Sequence, residues 1–331
     1  MSRVLIVGAG LTGSLCACLL RRELQSKVHI VVWDKSRGAG GRMSTSRSPD
    51  PSSHPADLGA QYISATPAYA QSHQSFYSEL LAAGVLKPLD CIIEGLKQKD
   101  ISYNYVTPLG MSSLVKHFLS ESGADLFLER HVTGVKVGES ETFDAVVLTM
   151  PVPQILQLEG DVGPLLSVQQ KQQLDGVAYS SRFALALFFP PDAVFSFPWG
   201  ARYVSESDCI RYIAVDPRKC RSDPAGRGPS MVVHTSVPFG VEHLEEDKEE
   251  VKPVILQELY KLLPDLPQPI SIKCHKWRYS QVLTTVPDCP GHMTVLNQPP
   301  LVCGGDAFTH SNFDGCVESA LSLLGALKSS L

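Results

Sequence analysis

Val4-Leu5-Ile6-Val7-Gly8-Ala9-Gly10-Leu11-Thr12-Gly13, answered by Asp34 at the end of a second apolar run, decides the fold. The four leading residues are apolar without alternation, as in a parallel strand buried on both faces. Three glycines follow at the spacing of a strand-to-helix corner. The first permits the turn, the second lets backbone approach a pyrophosphate, and the third allows close helix–strand packing. The helix that opens there, apolar through Leu19 and Leu20, directs its positive end at the phosphates. Residues 28–33 form the second strand, and Asp34 falls 21 residues after Gly13. A carboxylate at that distance accepts hydrogen bonds from a ribose diol. A glycine corner with no ligand would leave unexplained the acid that ends an apolar strand.

FAD or NAD(P) is decided by what comes next. Gly38-Ala39-Gly40-Gly41-Arg42-Met43 follows the acid; successive amides and one guanidinium there suit a pyrophosphate. Far downstream, Gly304-Gly305-Asp306 follows a last buried strand, and a helix opens near Gly315. Its positive end would oppose the charge on a reduced isoalloxazine. Both cues favour FAD. No cysteine or histidine sits in a recognisable linkage motif, so the expected attachment is non-covalent.

The chain has 331 residues, 44% hydrophobic and 19% charged, which is the composition of a globular protein with one large core or two ordinary ones. A net charge of −5 without a long Lys/Arg run gives no reason to expect nucleic acid. No apolar stretch approaches the roughly 20 residues of a spanning helix. Residues 4–10 are too short for a cleavable leader and lack a cleavage site, so these features alone point to the cytoplasm. Nine cysteines occur without a CxxC pair or zinc spacing; they read as small core hydrophobes in a reducing compartment, with no metal.

Between the two cofactor signals, residues 36–55 read as loop, 67–83 and 110–122 as helices, and 143–149 as a buried strand. Residues 165–176 read as a helix, 182–189, 203–215 and 231–237 as strands, and 217–229 as a Pro/Gly-rich basic loop. A helix over 242–263, kinked at Pro253, and a strand over 270–279 follow. The class is α/β. A discontinuous Rossmann-type FAD-binding domain (1–75, 108–170 and 270–331) would carry an inserted, mainly antiparallel α+β substrate domain (76–107 and 171–269).

On the stretches VLIVGAGLTGSLCACLLR, GGRM, DLGAQYI, LTMPVPQILQL, YSSRFAL, HTSVPFGV, LPDLPQPI, KWRYSQV and CGGDAFTHSNFDGC, the chain resembles the FAD-dependent amine oxidase superfamily. The likeness runs almost end to end and implies a p-hydroxybenzoate hydroxylase-like fold. It implies FAD contacts at Thr12, Asp34, Lys35, Arg42, Gln61 and Tyr62, beside the glycines Gly8, Gly10, Gly13 and Gly41. It also places the Val132 backbone by the adenine, Asp306 by the ribityl–phosphate region, and Phe313, Asp314 and Gly315 by the pyrimidine end of the flavin. Two departures matter. Superfamily members usually carry a lysine near flavin N5, yet no lysine lies between Lys171 and Lys219. Residues 134–142 are also short where relatives have room for a hairpin, which bears on the adenine-side wall.

The branch that shares the missing lysine implies oxidation of 2-dihydro and 6-dihydro isomers of NAD(P)H. Hydride passes to flavin N5, giving β-NAD(P)+ and, with O2, hydrogen peroxide. A dihydropyridine expels hydride through its own ring nitrogen, so no base or nucleophile is required, and none is singled out. His234, Trp277, Arg278 and Tyr279 are the cavity candidates; ordinary strand packing accounts for each equally. Arg278 would meet a substrate phosphate, and in a regular strand it points opposite to Trp277. The alternatives are an amine or catecholamine oxidase, and a secreted signalling protein that needs no turnover. The resemblance also implies secretion and a cell-surface receptor, against the cytoplasmic reading.

Overall fold

The structure, a computed structural model, describes residues 1–97, 103–138, 143–221 and 226–331. Two compact units emerge. The first comprises Met1–Gly41, Leu114–Tyr179 and Gln281–Leu331, and the second Arg42–Ser113 and Ser180–Ser280.

The first unit is built on a six-stranded sheet in the order His292–Leu296, Leu301–Gly304, Ala145–Leu148, Ser2–Val7, Val28–Trp33, Asp125–Phe127. Only His292–Leu296 runs antiparallel to its neighbour. The central strand buries Val4, Leu5, Ile6 and Val7, which explains its unbroken apolar run: a parallel strand covered on both faces has no polar side. The helix Leu11–Leu24 packs beside the last helix, Phe313–Leu327. Leu5, Leu148, Cys303 and Phe308 belong to one core cluster, against which Val132 packs.

The second unit has a sheet of the same size, in the order Ser271–Trp277, Arg182–Phe188, Ser230–Thr235, Ile210–Val215, Ala201–Tyr203, Ile93–Glu94. All pairs are antiparallel except the last. One face carries Phe183, Leu185, Leu187, Ile213 and Val233 in a core shared with Val251, Ile255 and Leu259 of the helix Lys248–Leu262. The other face is lined by Ala184, Ala186 and Phe188, which pack on Ala56 and Leu58.

Three segments differ from their sequence reading. The helix expected over 242–263 is two: Val237–Glu242, and Lys248–Leu262 capped by the Asp247 carboxylate. Lys276 Nζ takes the carbonyls of Leu244 (2.6 Å) and Glu246 (2.5 Å), which diverts the chain between them. The helix at 67–83 breaks at His73 into Pro67–Ser72 and Gln74–Ala82. The basic loop expected from 217 begins inside a helical turn, Asp216–Lys219, and Lys219 is buried; residues 222–225 of that loop lie outside the described residues. So do 139–142 of the short segment at 134–142, whose Gly134–Val135 pairs parallel to Glu159–Gly160. Among the described residues no helix is long and apolar enough to cross a membrane.

Candidate functional site

In the first unit the glycines have separate duties. Gly8 has φ +115°, and a Cβ there would meet Thr149 Oγ1 at 2.4 Å; at Gly13 it would meet the Gly8 carbonyl oxygen at 2.0 Å. These two are demanded by the protein's own packing. At Gly10 a Cβ would meet nothing within 4 Å, so packing does not explain this glycine. Gly10 caps the helix Leu11–Leu24 with no side-chain hydrogen bond, and its first turn holds no acidic residue. An uncapped, neutral helix start with an open Cα fits a pyrophosphate. Thr12 is buried in that first turn.

Asp34 braces the same corner. Its Oδ2 accepts from the Ala9 amide at 2.7 Å and its Oδ1 from the Ser36 amide at 2.8 Å. The second glycine stretch joins it: the Gly40 amide donates to the Ala9 carbonyl at 2.9 Å. Gly41, at φ +55°, would set a Cβ 3.4 Å from Gly10 Cα. Gly8, Gly10, Thr12, Gly13, Asp34 and Gly41 therefore form one cluster. Lys35 is exposed. Two strands over, at the same carboxyl edge of the sheet, Asp306 is buried and its Oδ2 accepts from Ser311 Oγ at 2.8 Å. The helix Phe313–Leu327 starts differently from Leu11–Leu24. Asn312 Oδ1 accepts from the Gly315 amide at 2.6 Å, and Asp314 lies fully buried in its first turn. Part of this helix start is thus satisfied by the protein.

In the second unit the candidates converge on residues 57–62. Tyr203, Tyr212, His234, Ala184 and His275 are cross-strand partners in one row of the sheet, so their side chains share a face. Trp277, two residues beyond His275, shares it too. Leu58 presents its carbonyl oxygen to this row, accepting from His234 Nε2 at 2.9 Å and Trp277 Nε1 at 3.0 Å. A carbonyl only accepts, so His234 carries a proton on Nε2. Burial, helped by the Arg182 charge, drops the His234 pKa to about 4. The ring is neutral near pH 7, with Nδ1 bare of a proton. The Tyr62 hydroxyl pairs with that of Tyr203. Tyr212, its ring 5.1 Å from Tyr203, has a buried hydroxyl with no hydrogen-bond partner among the described residues.

Arg42 contributes its carbonyl to the same region, accepting from the Ala60 amide at 2.9 Å. Gly59 must be glycine, because a Cβ there would sit 1.9 Å from the Arg42 carbonyl oxygen. Gln61 is buried, and its amide is committed within the unit: Nε2 donates to the carbonyls of Asp57 (2.5 Å) and Gly59 (3.0 Å). Arg278 lies exposed beyond the strand in a two-pronged pair with Glu245 at 2.9 and 3.2 Å. Tyr279 is half-buried just after it.

One group was not read from the sequence. Lys219 is fully buried, with Nζ 2.9 Å from Asp216 Oδ1, 3.8 Å from Asp57 Oδ2 and 3.0 Å from Gln61 Oε1. Asp216 Oδ2 accepts from the Asp57 amide at 2.7 Å, and Asp57 Oδ1 from Thr45 Oγ1 (2.7 Å) and the Met111 amide (2.9 Å). Burial, then the charge of Asp216, pushes Asp57 up to about 6. Burial works against the Lys219 charge, but Asp216 and Asp57 outweigh it and raise its pKa.

A parallel sheet with an open phosphate corner, set in a chain that also carries an antiparallel aromatic-lined sheet, defines a Rossmann-type flavoenzyme. The profile of the NAD(P)-binding Rossmann-like domain matches residues 6–80, and that of the flavin containing amine oxidoreductases matches residues 71–322. Mouse (Mus musculus) renalase is 50% identical over 99% of each chain. The chain belongs to the flavin containing amine oxidoreductases and, within them, to the renalase family. It is an FAD-dependent oxidoreductase. Solved structures share the fold at low identity. One is a protoporphyrinogen oxidase homologue from Exiguobacterium sp. 255-15, with TM-score 0.73 and 13% identity over 100% of this chain and 99% of that one. Another is a redesigned putrescine oxidase, with TM-score 0.69 and 14% identity over 99% of each.

Proposed function

We propose that the chain oxidises 2-dihydro and 6-dihydro isomers of NAD(P)H with non-covalent FAD, returning β-NAD(P)+ and making hydrogen peroxide from O2. The carrying observation is the half-identity to renalase along the whole chain. The second unit supports it. The strand Arg182–Phe188 contains no lysine, and the histidine beside it is neutral and hydrogen-bonded to backbone. No ionised base is poised on that row, and a dihydropyridine donor asks for none.

FAD, when bound, supplies the two-electron acceptor and the reaction with O2. Gly10 and the first amides of the helix Leu11–Leu24 hold its pyrophosphate, and Asp34 fixes the corner that presents them. Arg42, Gly41, Val132, Asp306, Phe313, Asp314 and Gly315 are assigned to the cofactor. Trp277 offers a flat apolar wall for a nicotinamide ring, and His234 Nδ1 accepts a hydrogen bond without taking a proton. For compartment, the sequence features favour the cytoplasm and the likeness to renalase implies secretion.

The test is anaerobic mixing of the holoenzyme with 2- and 6-dihydronicotinamide isomers and, separately, with catecholamines. Fast flavin bleaching by the isomers and little by amines is expected. Bleaching by an amine at equal or greater rate would replace this reading with amine oxidation.

A further inference from the structure

Lys219 is an expensive residue to place where it lies. An ammonium withdrawn from water is tolerated only with paired carboxylates and directed hydrogen bonds. One carboxylate would neutralise it, yet the second unit supplies two, Asp216 and Asp57, and adds the Gln61 carbonyl oxygen. The last contact is the informative one. An ammonium can only donate, so Lys219 fixes which end of the Gln61 amide faces it. Oε1 turns toward Nζ, and Nε2 is left to donate to the carbonyls of Asp57 and Gly59.

Three successive carbonyls are thereby held. Those of Asp57 and Gly59 are held by Gln61, and that of Leu58, between them, by His234 and Trp277. The same bend supports the carbonyl of Arg42 through the Ala60 amide. The Asp57 amide is itself anchored on Asp216, the direct partner of Lys219. The ion cluster thus touches both ends of the bend that His234, Trp277 and Arg42 rest on.

We infer that Lys219 is a positioning residue, acting through Gln61 to set residues 57–61 and hence the orientation of Trp277, His234 and Arg42. The inference rests on the reading that these three serve the cofactor and substrate. It reassigns Gln61 from a cofactor contact to the link between a sealed charge and the site.

Gln61→Met separates positioning from folding, because it keeps side-chain length and leaves the Lys219–Asp216–Asp57 set in place. The readouts are the Trp277 indole N–H resonance in the FAD-free protein (assigned with Trp277→Phe), the FAD dissociation constant, and the flavin reduction rate. Gln61→Met is expected to move the indole resonance upfield as its bond to Leu58 loosens. It should also weaken FAD about tenfold, the scale of one hydrogen bond, and slow reduction per bound flavin. Lys219→Met should produce the same spectral change with a lower thermal midpoint. Leu259→Ala, in the core on the opposite face of the sheet, should lower the midpoint without moving the indole resonance. An unmoved resonance and unchanged FAD affinity in Gln61→Met would overturn the inference, as would an equal shift in Leu259→Ala. If dihydronicotinamides fail to bleach the wild-type holoenzyme, the substrate reading fails alone; the indole and FAD readouts still decide the positioning.

Discussion

The two six-stranded sheets handle polar groups in opposite ways. The parallel sheet of the first unit ends in backbone amides that no side chain caps, beside a glycine whose Cα faces open space. The antiparallel sheet of the second unit backs onto full charges that water does not reach. Open amides suit a ligand that brings its own negative charge. Sealed charges are stable only as a complete set, since removing one strands the others in a low-dielectric interior. The first arrangement makes binding sensitive and folding tolerant; the second makes folding sensitive.

Lys219→Met tests the sealed side and should have the largest effect. It leaves Asp57 and Asp216 without their counter-charge and should cost about 3–5 kcal/mol, read by chemical denaturation. A loss below about 1 kcal/mol would mean that the cluster is hydrated. Gly10→Val tests the open side. FAD affinity should fall about 100-fold, or roughly 2.7 kcal/mol, while the thermal midpoint of the FAD-free protein stays within about 2 °C. Gly13→Ala is the contrast: its Cβ would lie 2.0 Å from the Gly8 carbonyl oxygen, so the FAD-free midpoint itself should drop.

The sealed side also has a pH signature. His234 is depressed to about 4, so the unfolded chain binds its proton more readily and His234 makes stability fall as pH drops from about 6.5 to 4. Asp57 is raised to about 6, so the folded chain holds its proton more readily and Asp57 makes stability fall as pH climbs from about 4 to 6. The two contributions oppose each other between pH 4 and 6, each at most about 1.4 kcal/mol per pH unit. His54, His275 and His292, held below the usual imidazole range by burial, add to the His234 side of this balance. Relative to wild type, His234→Gln should tilt the denaturation midpoint toward a decline with rising pH over the same range; an unchanged slope would remove His234 from the balance.

Smaller effects come from the rim. Trp277→Phe removes one of two donors to the Leu58 carbonyl and should cost about 1 kcal/mol. Arg278→Ala breaks a solvent-facing pair with Glu245 and should leave the thermal midpoint unresolved from wild type. Its KM for dihydronicotinamide should also be unchanged, because the guanidinium is engaged by Glu245. A tenfold rise in KM would restore Arg278 as a phosphate contact.

What the sequence made legible is the open side. Gly8, Gly10, Gly13 and Asp34 lie within 27 residues, and their spacing follows from one local corner, so a periodic reading finds them. Trp277 and His234 were identifiable as strand residues, but their shared partner is a main-chain oxygen, which leaves no mark on the side-chain pattern. Lys219 was missed for a plainer reason. Asp57 and Asp216 stand 159 positions apart, and only the strand order of the second sheet brings them to one ammonium. Within its own neighbourhood Lys219 looks like one more charge in a polar loop. The helix break at 243–246 was hidden likewise, because its cause is Lys276, some thirty residues further on.

The first unit is assembled from three pieces of chain, and that sets a timetable. Residue 280 completes the last segment of the second unit, whereas Leu301–Gly304, the parallel neighbour of Ala145–Leu148, and the helix Phe313–Leu327 emerge afterwards. At about 5–20 residues per second of synthesis, Ser2–Val7 waits roughly 15–60 s for the last pieces of its sheet. The ordinary order, in which the N-terminal domain folds first, is reversed: the inserted unit can close on the ribosome while the dinucleotide corner stands unfinished. Cofactor loading thus waits for the last segment of the first unit.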